Sequence, residues 1–203
     1  MAIITSYSTL QTAVADYLAR SDLTSFVPNF IQNAENKIYR TLNLRNEETA
    51  LSVSISSGVA AVPSDFKALK FAYYSATPVS LLRWVGVEEL YNDYADRSEV
   101  GSPSLISREG ANFVFGPVSQ DGTLSGIYYA KLPALSSSNT SNWYTTNAPE
   151  VLLYGALLEA QPFIHNDARL QVWGQMYQSA IDTLRDEQKN AETSMGSIIQ
   201  RIS

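Results

Sequence analysis

Residues 147–164 read NAPEVLLYGALLEAQPFI, and this stretch decides the fold of the chain. Asn147 or Ala148 lies near a helix cap, and Pro149 suits the first helical turn. Glu150 follows, where the helix dipole favours an acid. The sequence therefore predicts a helix that begins at about Pro149. The apolar residues that follow at helical spacing are Leu152, Leu153, Ala156, Leu157, Ala160, Phe163 and Ile164.

A second helix is predicted directly after the first. Pro162 removes a backbone donor, so the first helix should kink or end within residues 165–167. Asn166 or Asp167 can then cap the next helix. Such a short link between two amphipathic helices favours an antiparallel hairpin. The predicted buried face of the second helix consists of Leu170, Trp173, Met176, Tyr177, Ala180, Ile181 and Leu184.

Two more helices are predicted near the start of the chain. Ser8 and Gln11 fit a capping box for the first, and Pro28 suits the first turn of the second. In the second helix one face is apolar through Leu42, and the polar residues Asn33, Glu35, Asn36 and Arg40 should point outward. Two helices at the front and two at the back predict a four-helix core.

Residues 44–146 have a different character. Residues 51–55 (LSVSI) alternate between apolar and polar, as a half-buried strand does. Further strands are predicted at residues 70–74, 78–82, 112–115 and 123–129, with a short helix at 87–94. The chain is thus predicted to be one α+β domain over residues 1–203. It should comprise a helical bundle from residues 1–43 and 147–193, an inserted antiparallel β-rich subdomain at 44–146 and an extended C-terminal tail at 194–203.

Composition excludes several kinds of function. The chain has 203 residues, no cysteine, one histidine and a formal net charge of −6. Thiolate chemistry and disulfides are therefore excluded, and a site with several histidines cannot be built. A surface that grips DNA needs clustered cations, which the charge disfavours. We expect no membrane span, and the first residues lack the pattern of a signal peptide, so we expect a soluble protein made in the cytoplasm.

Catalytic motifs are absent from the sequence, and no metal or cofactor site is predicted. The acid pairs at residues 47–48, 88–89 and 186–187 are adjacent in sequence, so they favour solvated surfaces over acid–base sites. His165 lies in a predicted helix connection, where capping or exposure is expected. Tyrosines are concentrated in the β-rich region, where strand packing and interface roles both remain open. The residues alone indicate a non-enzymatic interaction protein.

The order of features along the chain resembles one known family. The stretches that carry the resemblance are residues 17–23 (YLARSDL), 30–38 (FIQNAENKI), 42–45 (LNLR), 62–66 (VPSDF), 101–103 (GSP), 115–117 (FGP), 127–135 (IYYAKLPAL), 142–143 (NW) and 149–160, leading to Asp167 and Trp173. Together they resemble the head-to-tail adaptor, or connector, proteins of tailed bacteriophages, the ring beneath the portal. The resemblance runs from about residue 7 to residue 187.

The resemblance implies a structural virion protein at the head–tail junction. Members of that family form a ring of twelve copies around the DNA channel and join the portal to a downstream tail or neck protein. DNA would pass through the channel without specific binding. The family also implies portal binding by the C-terminal tail, here Met195, Ile198, Ile199, Arg201 and Ile202.

Exposed tyrosines of the β-rich region are expected at subunit or tail interfaces: Tyr73, Tyr74, Tyr91 and Tyr94. The sequence leaves two alternatives open. One is another neck or tail component, such as a stopper, tail-tube or fibre-attachment protein, which should be mainly β. The other is a small-molecule binding module that uses the acid pairs and tyrosines.

Overall fold

The chain folds into two compact units. The helical unit consists of Met1–Leu42 and Leu132–Ser203, and the barrel unit consists of Asn43–Lys131. The computed structural model describes residues 3–95, 97–119, 121–164 and 167–193.

Within the described residues there are six α-helices, together with short 3₁₀ turns at Ser21–Phe26, Arg45–Glu47 and Gln161–Phe163. The helices are α1 (Tyr7–Leu18), α2 (Val27–Thr41), α3 (Val87–Asp93), α4 (Trp143–Asn147), α5 (Pro149–Glu159) and α6 (Arg169–Thr193). The predicted helix start at Pro149 is confirmed. Helix α5 ends at Glu159, because the 3₁₀ turn around Pro162 replaces its continuation.

Helix α5 is the centre of the helical unit. It contacts α1, α2, α4 and α6. Its buried positions form two runs of three consecutive residues, 151–153 and 155–157. Successive helical residues point about 100° apart, so this burial surrounds the helix, and an apolar helix of this kind must be enclosed by neighbours. The predicted four-helix bundle core is therefore wrong, because α5 is an enclosed central helix rather than one of four helices that each bury a single face.

Two local predictions in the helical unit are also wrong. Ser6, not Ser8, caps α1, and its side chain and that of Thr9 form the reciprocal capping box. Glu35 does not point outward but is 2% exposed on the inner side of α2. Its burial is possible because other residues donate hydrogen bonds to the carboxylate.

The barrel unit contains nine described strands. They are β1 (Glu48–Ser56), β2 (Val59–Ala61), β3 (Phe66–Ser75), β4 (Ser80–Trp84), β5 (Val100–Gly101), β6 (Leu105–Glu109), β7 (Asn112–Gly116), β8 (Val118–Ser119) and β9 (Gly122–Ala130).

Seven of these strands form a closed barrel in the order β1-β2-β7-β6-β4-β3-β9. Long antiparallel pairing of β9 with β1 closes the barrel, from Glu48 opposite Tyr129 to Ile55 opposite Gly122. The β4–β6 pair is parallel, and the other barrel pairs are antiparallel. Strands β5 and β8 form a separate two-stranded sheet. The predicted fold class is thus corrected a second time, because it did not include a closed barrel.

Every second side chain of the strands points into the barrel, and these side chains fill its interior. Apolar residues such as Phe113, Phe115 and Leu124 point inward and are fully buried. On β9, Gly126 lies against β3. A Cβ added at Gly126 would collide with the carbonyl oxygen of Phe71 and stand 2.8 Å from the Cα of Ala72. Glycine therefore allows β9 to pair closely with β3 at this point.

Candidate interaction surfaces

The outward residues of β1, β9, β3 and β4 form rows around the barrel wall. Strand register aligns Ser52 with Ser125, Ser125 with Tyr73, and Tyr73 with Leu81. These four outward positions run from small side chains on β1 to large ones on β4. The neighbouring rows contain Ala50, Ile127 and Phe71 on one side, and Ser54, Thr123 and Ser75 on the other.

Large apolar side chains on this wall are open to solvent. Leu81 is 76% exposed and Phe71 is 45% exposed. The Phe71 and Tyr73 rings stack with their centroids 6.3 Å apart. We call Phe71, Tyr73 and Leu81 the large-residue sector. The small-residue sector is the outward side of β1 and β2, namely Ala50, Ser52, Ser54 and Ala61, all of which are exposed.

Another part of the wall is covered. Helix α3 packs on β6 and β7. Leu90 of α3 is fully buried there, together with Val85, Leu105 and Val114. This side of the barrel therefore has a second, small hydrophobic core. Its four residues are buried, in contrast to the exposed Phe71 and Leu81.

The adjacent tyrosines of β3 have opposite locations. Tyr73 points outward in the large-residue sector, whereas Tyr74 lies in the barrel core and is 8% exposed. The Tyr74 hydroxyl reaches the carbonyl oxygen of Asp121 at 3.4 Å. Neighbouring residues of a strand face opposite sides, so only one of this pair can be on the surface.

The other two tyrosines lie near α3. The Tyr91 hydroxyl donates a hydrogen bond to the Glu109 carboxylate at 3.0 Å, and this bond is the main reason that the pKa of Tyr91 is raised. Tyr94 packs against the small core beneath α3. A Cβ at Gly116 would lie 2.6 Å from the Tyr94 ring. Both side chains thus have intramolecular contacts, unlike the open position of Leu81.

In the helical unit, Glu35 anchors the segment that follows the barrel. Its carboxylate accepts the backbone N–H of Leu135 at 3.1 Å and the side-chain amide of Asn142 at 2.9 Å. The Asn142 side chain also caps α4 by accepting the N–H of Thr145. One buried acid therefore connects α2 to the returning segment and to the start of α4.

Arg169 anchors the start of α6 to the end of α1. Its guanidinium donates to the carbonyl oxygen of Tyr17 at 2.9 Å and lies 5.0 Å from the Trp173 ring centre. It also forms an ion pair with Asp167 at 2.6 Å. The side-chain hydrogen bond from Arg169, followed by its backbone N–H, lowers the pKa of Asp167. A cation at this place satisfies carbonyl groups that the helix end leaves open.

Most of the predicted acid pairs have structural partners. Glu47 is buried and pairs with Lys67 at 2.6 Å, while Glu48 pairs with Lys70 at the same distance. Glu89 forms an exposed ion pair with Arg83. Among the described residues, no group of three or more His, Cys, Asp or Glu side chains could hold a metal ion. The convergent polar site that a small-molecule module would need is not formed by these acids.

Several predicted site residues lie outside the described residues. These are the tail positions Met195, Ile198, Ile199, Arg201 and Ile202, together with His165. Phe71 and Leu81 were not singled out by the sequence analysis. The alternation in residues 70–74 and 78–82 could have identified them, because it places every second side chain on the outer face. In the described part of the chain, none of the helices has the length and hydrophobicity needed to cross a membrane.

The geometry therefore presents interaction surfaces and structural ion pairs. No curated protein is similar enough to the chain to count as a relative. A sequence model of the SU10 adaptor protein family matches residues 5–201. Because this match covers nearly the whole chain, the chain belongs to the SU10 adaptor protein family.

Proposed function

We propose that this phage structural adaptor forms a ring of twelve copies that joins the portal to the tail. Membership of the SU10 adaptor family over residues 5–201 is the observation that carries the proposal. A protein of this kind is a virion component, and its task is to hold other proteins together rather than to catalyse a reaction. The ring would lie at the head–tail junction, with the portal on one side and a downstream tail or neck protein on the other.

The charge of the chain supports a role around DNA that does not involve binding it. One copy carries a formal net charge of −6, so a ring of twelve would surround its channel with a strongly negative protein. Such a ring repels phosphate, and it offers few cations for counterion-releasing contacts. DNA would then slide during packaging and ejection without being held.

The C-terminal segment is the proposed portal-binding element. Residues 194–203 contain three isoleucines and a single charged residue, Arg201. The isoleucines provide apolar surface for a partner, and the cation could meet an acid there. Truncation after Glu192 should therefore leave the described fold in place and remove attachment to the portal.

The closed barrel keeps a second candidate in consideration. Stopper and tail-tube proteins were expected to be mainly β, and the barrel unit provides β-structure over Asn43–Lys131, less than half of the chain. The two candidates differ in the neighbour that the protein contacts. An adaptor binds the portal directly, whereas a more distal component needs another protein in between.

Co-sedimentation with the portal ring encoded in the same genome tests the proposal. We expect the full chain to pellet with the portal and the chain truncated after Glu192 to stay in the supernatant. Circular dichroism of the truncated chain provides the control for folding. Attachment of the truncated chain would contradict the tail assignment. Failure of the full chain to bind the portal, combined with binding to a downstream neck protein, would favour the distal candidate.

A further inference from the structure

Three adjacent outward rows from β1 to β4 contain almost no charge, and the next row carries the Glu48–Lys70 ion pair. In the three aligned rows, the residues of β1, β9 and β3 are all uncharged: Ala50, Ser52, Ser54, Ile127, Ser125, Thr123, Phe71, Tyr73 and Ser75. On β4, Leu81 continues one row, and Arg83 is the nearby cation, which is paired with Glu89 at 2.9 Å. An acidic protein thus has an uncharged region three rows wide on its barrel wall.

This wall has the properties of an interface between like-charged copies. Two copies with a net charge of −6 repel each other, so they can approach most closely where charge is absent. The centres of protein interfaces are depleted in charged residues and enriched in aromatic residues. The large-residue sector supplies two stacked aromatic rings and a leucine that is 76% exposed.

We infer that the large-residue sector of one copy packs on the small-residue sector of the next copy around the ring. This inference rests on the proposed ring. Ala50, Ser52 and Ser54 have short side chains, so the Phe71 and Tyr73 rings can approach the backbone of β1. Serine hydroxyls on β1 can also bond the Tyr73 hydroxyl. The contact is head-to-tail, since each copy offers two unlike surfaces.

The positions of the sectors around the barrel fit ring closure. Seven strands divide the circumference into steps of about 51°. Tyr73 on β3 and Ser52 on β1 are two steps apart, or about 103°, and the middles of the β3–β4 and β1–β2 pairs are three steps apart, or about 154°. In a ring of twelve, the two contact directions of each copy differ by about 150°. This angle lies between the two values for the sectors, so the sectors are compatible with ring closure when the barrel axes stand parallel to the ring axis.

Cysteine cross-linking tests this contact, since the chain has no cysteine of its own. Ser52→Cys and Tyr73→Cys place one thiol in each sector. Within one copy, β9 lies between these positions, so their Cα atoms are about 10 Å apart, beyond the roughly 7 Å limit for a disulfide. A disulfide between positions 52 and 73 therefore has to join two copies.

We expect the doubly substituted chain, oxidised with the portal ring present, to give a ladder of covalent oligomers that ends at twelve. A mixture of the two singly substituted chains should give only dimers, and each alone should give none. Ser52→Cys combined with Glu89→Cys is the matched control, because Glu89 is exposed on α3 outside both sectors. It should form no ladder. The same oxidation is also carried out on the free protein at high concentration.

A second variant adds a charge without a cross-link. Leu81→Asp should reduce ring assembly at least tenfold, because it buries an unpaired carboxylate in the contact. Val100→Asp is its control, since Val100 is 59% exposed on β5 outside both sectors. Circular dichroism checks that both variants fold.

The outcomes separate this inference from the proposed function. A twelvefold ring on the portal without the 52–73 disulfide would overturn the inference and leave the adaptor function in place. A different outcome would be cross-linking of Tyr73→Cys to itself in a second copy, to the portal or to a downstream protein. Any of these products would assign the large-residue sector to a different contact and would also overturn the inference. A ladder without portal binding would support the contact and count against the adaptor function. If the protein formed no ladder and did not bind the portal, both the inference and the adaptor function would be rejected.

Discussion

Gly155 of α5 offers the sharpest test of the central-helix arrangement. A Cβ at this position would lie 3.1 Å from the Cβ of Ala34 on α2 and 3.2 Å from the Tyr177 ring on α6. Ordinary carbon contacts lie at about 3.5–4.0 Å, so Gly155→Ala compresses two helix contacts at once. Ala34 has no rotamer through which it could yield, and α2 itself would have to shift.

Gly174 of α6 provides the matched control. Both glycines lie inside helices, so replacement by alanine should gain about 1 kcal/mol of helix propensity at either position. A Cβ at Gly174 meets no atom within 4 Å, and Gly174→Ala should therefore stabilise the protein. Overpacking at Gly155 costs about 1–3 kcal/mol. The two variants should therefore differ by that amount, which corresponds to roughly 2–12 °C in melting temperature for a chain of this size.

Thermal unfolding followed by helical circular dichroism measures this difference. If Gly155→Ala melted as high as Gly174→Ala, the close packing of α5 against α2 would be refuted. Combining Gly155→Ala with Ala34→Gly sharpens the test, because the double variant has the same number of helical glycines as the natural chain. Stability recovered in the double variant must then come from the relieved contact with Ala34.

Three further predictions concern buried and exposed acids. Lys67→Met should cost about 3 kcal/mol in denaturant titrations, because it removes the cation that lies 2.6 Å from the buried Glu47 carboxylate. Glu89→Gln, at an exposed pair, should cost less than about 1 kcal/mol, and equal costs would contradict the burial argument. Asp167 has a lowered pKa, so the stability that it contributes is present above about pH 4 and lost as the pH falls through the lower folded value. The gap in melting temperature between the natural chain and Asp167→Asn should thus close in acid, and a gap that persisted there would refute the ion-pair explanation. Glu35→Gln should increase hydrogen exchange in residues 132–142, since the amide replaces a carboxylate that accepts two hydrogen bonds. Exchange in strands β1 and β9 should stay the same. Unchanged exchange in residues 132–142 would show that other contacts hold this segment.

Local patterns predicted much of the secondary structure. Pro149 marked the start of α5, and the alternation in residues 51–55 matched part of β1. Prediction was weaker where an element depends on distant partners. Strand β2 has only three residues, and its identity depends on pairing with β7. Closure of the barrel depends on Glu48 lying opposite Tyr129, which no local window contains.

The sequence itself contains an indication that α5 is enclosed on all sides. Val151, Leu152 and Leu153 are consecutive apolar residues, so they cannot share one helical face. The prediction of an outward Glu35 failed for a different reason. A carboxylate is usually exposed, and its burial here depends on hydrogen bonds from Leu135 and Asn142, about a hundred positions away.

The candidate surfaces were partly visible in the sequence. Strand alternation implied that Tyr73 and Tyr74 face opposite sides, although both were predicted at an interface. Tyr91 and Tyr94 have intramolecular contacts that depend on the packing of α3 on β6 and β7. The serines of the small-residue sector are visible in residues 51–55 of the sequence. Their position relative to the large residues of β3 and β4 depends on strand pairing, which the sequence pattern does not give.

The most direct test of the adaptor account is the mass that the protein adds to the portal ring of the same phage. Mass photometry of the complex should show an increase of about 270 kDa, twelve times the 22.4 kDa of one copy. Averaged images of the same sample should show a twelvefold collar on one face of the portal. A portal whose mass does not change at saturating protein, or an increase that corresponds to another number of copies, would contradict the proposed ring of twelve.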